Sequence, residues 1–185
     1  VTEVTDVRVG NLPVTEVQLE VKQVIKGAND VTVDAEGRMF MTIRQFGLQT
    51  PESAQDGRVF LGLTPGMARY EVGDQVLLFL GPTTSRGLRA PVGLGAGRFD
   101  MAAGGVVNAS WNQGLFEDLP GIPSGLNEAE QRMFDTQQGA VNSRTFTTLV
   151  RRAVQESWWE DGSDRVPERQ FVSQDTDALQ TLGRN

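Results

Sequence analysis

Apolar and polar residues alternate over the first third of the chain, and the alternation predicts strands. Valines at positions 1, 4, 7 and 9 make Val1 to Val9 one such segment, broken at Gly10-Asn11-Leu12-Pro13. Val14 to Ile25 follows a clearer period of two. Val17, Leu19 and Val21 lie on one face and Glu16, Gln18, Glu20 and Lys22 on the other, as in a half-buried antiparallel strand. Val24-Ile25 interrupts the alternation at a bulge or at the end of pairing. Lys26 to Asp30 is a turn, and Val31 to Val33 resumes as strand. Met39, Met41 and Ile43 alternate within Arg38 to Phe46, and Gln49 to Asp56 is a polar excursion. Further strands are expected over Arg58 to Leu63, Gln75 to Leu80, Val92 to Met101 and Val106-Val107. Val76 to Leu80 is apolar at every position, which a strand covered on both faces should be.

Beyond Val107 the pattern changes. Asn108 to Leu126 is rich in Gly, Pro, Asn and Ser, a connection of a length that is usually functional or packed against something. Asn127 is a predicted cap for a helix over Glu128 to Gln138, with Glu128 and Glu130 in its first turn. Ser143 is the predicted cap of a second helix, along which Phe146, Leu149, Val150, Ala153, Val154 and Trp158 recur at helical spacing. Gly162 and Pro167 end helical structure. The expected fold is therefore mainly β: an OB-like or partly open β-barrel over residues 1–107 and a long loop over 108–126. One or two C-terminal helices within 127–158 then pack on the barrel, and an extended acidic arm covers 159–185. At 185 residues such a chain buries a core without staples.

Composition narrows the chemistry. The 21 glycines favour strands and turns over a helical bundle. Cysteine and histidine are both absent, which removes disulfides, thiol chemistry, the commonest zinc ligands and the usual general base near neutral pH. The net charge is −7, and the basic residues are scattered, with only Arg151-Arg152 adjacent, so nucleic acid is not an expected partner. No stretch approaches the roughly 20 apolar residues of a membrane-spanning helix. The chain opens on Val1 with no basic and apolar leader, so either a signal peptide has been removed or this is a fragment. The expectation is the former, with a periplasmic or exported location peripheral to a membrane.

Three segments carry a resemblance. Val24-Ile25-Lys26-Gly27 ends an amphipathic strand, Tyr70-Glu71-Val72-Gly73-Asp74-Gln75-Val76-Leu77-Leu78-Phe79-Leu80 follows, and then come Val92-Gly93-Leu94 and Gly97-Arg98-Phe99. Their order resembles exported bacterial proteins of unknown function. It is similar, more distantly, to netrin-like domains and tissue inhibitors of metalloproteinases. The resemblance spans about half the chain and implies an OB-type barrel. It transfers no functional residue, because the inhibitors chelate metal through an N-terminal cysteine and this chain begins with Val1.

Several short patterns invite chemistry. Gly93-Leu94-Gly95-Ala96-Gly97 suggests a phosphate loop but matches neither G-x-G-x-x-G nor the Walker pattern, and reads better as a strand kinked by glycine. Glu160 to Asp164 offers oxygen ligands to calcium without EF-hand spacing. Asp30, Asp34 and Glu36 lack a companion nucleophile. Lys22 and Lys26 stand in no S-x-x-K motif, and Asn108-Ala109-Ser110 fits the glycosylation sequon.

No catalytic, metal or cofactor site is expected, and the chain is read as a non-enzyme. The leading expectation is a binding or scaffold subunit, membrane-extrinsic, within a larger bacterial envelope complex; a respiratory or photosynthetic one would fit, though nothing in the residues selects the host. Its partners would be other protein subunits, with contact to a membrane surface. Trp159, Phe171, Val172, Leu179 and Leu182 are the predicted partner-binding residues. They are the apolar anchors of a tail that is otherwise polar, with 6 acidic and 3 basic residues after Trp158. Trp158 extends the helical stripe and is expected in the core, while Trp159 is turned about 100° away. The alternative is an exported, protease-inhibitor-like module, which rests on the netrin-like resemblance.

Overall fold

The period-two segments form the first sheet. In the computed structural model, which describes residues 1–50, 52–53, 59–60, 62–102, 105–117, 125–136 and 138–158, β1 (Glu3–Val9) and β2 (Leu12–Val21) make an antiparallel hairpin. Gly10, at φ 61, supplies the left-handed turn position that a Cβ would disfavour. The hairpin extends through β4 (Met39–Phe46) and the short β3 (Thr32–Val33), in the order β1-β2-β4-β3. Register carries the sequence alternation across the sheet. Val17 pairs with Val4 on one side and Ile43 on the other, and Leu19 pairs with Met41. Val17, Leu19 and Ile43 are buried with Ala68 and Tyr70, and Val4, Met41, Val76, Leu78 and Leu80 pack around them. A cross-strand apolar row on one face of a sheet is the arrangement that period-two burial requires.

The second sheet is built from β7 (Val76–Leu78), β8 (Arg98–Ala102), β9 (Gly105–Asn108) and β10 (Val141–Asn142), all antiparallel, in the order β10-β9-β8-β7. Against it pack the helices α1 (Glu128–Phe134) and α2 (Ser143–Gln155). Phe99, Val106, Met133, Val141, Phe146 and Leu149 are the buried members of this second core. The Phe99 ring lies 5.6 Å from Phe79 and 5.0 Å from Phe146, at tilted and edge-on angles that aromatic quadrupoles favour. A separate two-stranded ladder joins β5 (Glu52–Ser53) to β6 (Val59–Phe60).

The fold is thus mainly β, with two antiparallel four-stranded sheets and two helices, and no hydrogen-bonded closure into a barrel occurs among the described residues. β7 accounts for the fully apolar run. It is an edge strand by hydrogen bonding, yet Val76, Leu78 and Leu80 face the first core while Leu77 and Phe79 face the second.

Three local expectations are corrected. Val92 to Met101 is not one strand: a turn at Val92-Gly93 leads into a short 3-10 segment, Leu94–Gly97, before β8 starts at Arg98. The Val92 backbone passes so close to Gly97 that a Cβ there would lie 2.6 Å from its carbonyl oxygen, which explains the glycine. Asn142, not Ser143, caps α2, accepting the Thr145 N–H at 3.0 Å. Finally, α2 ends at Gln155 and Ser157 turns the backbone left-handed, so Trp158 packs on the core from beyond the helix. Trp158 is therefore not part of the helical stripe over α2.

Candidate functional site

The acidic candidates hold turns and ion pairs. Asp34 accepts the N–H groups of Glu36 and Arg38 and the Arg38 Nε at 2.7 Å, organising the β3–β4 turn. Partial burial works to raise the Asp34 carboxyl, but the Arg38 hydrogen bonds and charge outweigh it and hold it below the ordinary carboxylate range. Asp30 pairs with Arg89 at 2.6 Å, and Glu36 with Arg38 at 3.2 Å. No group of three Asp or Glu side chains among the described residues is placed to hold a metal ion. Lys22 pairs with Glu20 on the exposed face of β2.

Two buried polar clusters also serve the fold. Tyr70 is 1% exposed, its hydroxyl meets no protein partner among the described residues, and the Arg98 guanidinium lies 4.7 Å from its ring. Arg98 in turn pairs with Asp74 at 2.8 Å and Asp100 at 2.7 Å. Burial pushes the Tyr70 hydroxyl up to about 12. In the second cluster Glu130 closes a capping box with Asn127 and pairs with Arg152 at 3.1 Å, tying α1 to α2.

The sequon residue is occupied. Asn108 is buried, its Nδ2 donates to the Ala96 carbonyl at 3.2 Å, and its Oδ1 accepts the N–H groups of Ser110 and Asn112. That side chain has no room for a glycan in the fold. Asn112 answers it: its Oδ1 accepts the Asn108 N–H at 2.9 Å, and its Nδ2 donates to the carbonyls of Val106 and Gly139.

Between these asparagines stands Trp111, 69% exposed, with φ 57, and its carbonyl accepts the Gly139 N–H at 2.6 Å. A bulky residue in the left-handed region is strained, and strain persists only where the surroundings over-determine the backbone. The Asn108–Asn112 clasp is that surrounding.

The clasp also gathers loops. Gly95 N–H donates to the Gly66 carbonyl at 2.7 Å, and Gly95 has no room for a Cβ beside Ala109. Segments 64–67, 92–97, 109–116 and 138–140 therefore converge at one end of the second sheet. None of them contains Asp, Glu, Lys or Arg, but the exposed Glu117 directly follows 109–116 and its carboxylate lies over Gly114. Their exposed apolar side chains include Val92 at 49% and Leu94 at 44%, the latter also left-handed at φ 60. The glycine run read as a phosphate-loop candidate belongs here. Its 3-10 segment is four residues long and offers no anion-binding helix.

Sequence reasoning missed Trp111. The readable signal was a lone tryptophan inside a Gly- and Asn-rich connection; its exposure depends on asparagines four residues apart bonding to each other. Trp159, Phe171, Val172, Leu179 and Leu182, together with Glu160 to Asp164, lie outside the described residues.

Two hollows are open and shallow. One, of about 410 Å³, is lined by the β1–β2 turn and Arg86. The other, of about 340 Å³, carries the exposed carboxylates of Glu117 and Asp135, and Asp135 accepts the Gln131 amide at 3.3 Å. No helix among the described residues is long and apolar enough to cross a membrane. Comparison with known proteins finds no matching family model, no matching curated protein and no matching solved structure.

Proposed function

We propose that this protein is a non-enzymatic binding subunit that attaches through the loop end of its second sheet, with Trp111 as the anchor. The observation that carries the reading is the exposed tryptophan held in a left-handed backbone by the Asn108–Asn112 clasp. Tryptophan dominates binding energetics where it is buried on association, and an anchor already locked in place loses little conformational freedom when it docks. The setting we assign is a membrane-extrinsic position in an assembly of the cell envelope. The two sheets we take as the halves of a partly open, OB-like barrel. What supports this is β7, which pairs in the second sheet while giving Val76, Leu78 and Leu80 to the core of the first.

The test is site-specific photo-cross-linking in the cells that make the protein. A photoreactive phenylalanine analogue at position 111 is expected to form a discrete adduct, while the same analogue at Val33, exposed on the other sheet, is not. Equal labelling from both positions, or none from position 111, sinks the proposal.

A further inference from the structure

We draw no further inference here: the strongest candidate, the hollow of about 340 Å³ beside the Phe116–Phe134 ring pair, rests on the two exposed carboxylates of Glu117 and Asp135, and nothing among the described residues shows what would fill it.

Discussion

Tyr70 is the chain's one tyrosine, which makes its environment measurable without mutation. Its side chain is buried under Arg98 with no partner for the hydroxyl among the described residues, and desolvation pushes its pKa up to about 12, the Arg98 charge opposing the shift. An unfolded tyrosine ionises near 10. Below that pH the neutral hydroxyl's contribution is fully present. Between about pH 10 and 12 the unfolded chain has released a proton that the fold retains, so stability falls as pH rises through the window. The loss is roughly 2–3 kcal/mol for a shift of this size. Absorbance near 295 nm is expected to show one step, close to pH 12 in the folded protein and near 10 in denaturant. Coincident steps in the two states would mean that Tyr70 is solvated.

At the scale of elements, α1 is short for a helix that must carry Met133 into the core, and Glu130 explains how it holds. That carboxylate accepts the Asn127 N–H at 2.9 Å as the reciprocal half of the capping box. It also takes the Arg152 guanidinium from α2, and is itself 2% exposed. Removing one member of a buried pair strands the other, a cost of several kcal/mol that the partial exposure of Arg152 reduces. Glu130→Ala is expected to lower unfolding free energy by about 2–4 kcal/mol in urea titrations, adding cap loss to pair loss. Glu130→Gln keeps the cap acceptor and gives up the charge, so it should lie between parent and Ala. An Ala variant as stable as the parent would show that α1 is held by packing alone. The cap at Asn127 and both acidic residues of the first turn were legible, because capping acts within four residues. The Arg152 partner was not, being 22 residues away along the chain.

For the whole molecule, the buried members of both cores among the described residues lie between Val17 and Leu149, and Trp158 is the last of those residues packed against either. A chain ending at Trp158 is therefore expected to keep its secondary structure and to melt within a few degrees of the full chain. Circular dichroism decides this. A truncated chain that fails to fold would mean that residues 159–185 complete a core. The same chain separates two modes of attachment, since the proposed loop end is intact in it. If Trp159, Phe171, Val172, Leu179 and Leu182 dock a protein partner, truncation abolishes assembly while cross-linking from position 111 survives.

Sequence alone determined the elements whose information is local. Val17, Leu19, Met41 and Ile43 announced β2 and β4 because burial on one face of a sheet imposes a period of two, and Phe146 and Leu149 announced α2 by helical spacing. Glycine was ambiguous by nature. In Gly93 to Gly97 the same residues suit a kinked strand or a tight turn, and only the approach of the Val92 backbone to Gly97 selects the turn. The loop end belongs wholly to tertiary structure. A short charge-free run carries no signal at 64–67, at 92–97, at 109–116 or at 138–140 taken singly. Sheet pairing of β8, β9 and β10 brings three of these runs together, the Gly95–Gly66 hydrogen bond adds the fourth, and the exposed Trp111 acquires a surface only there.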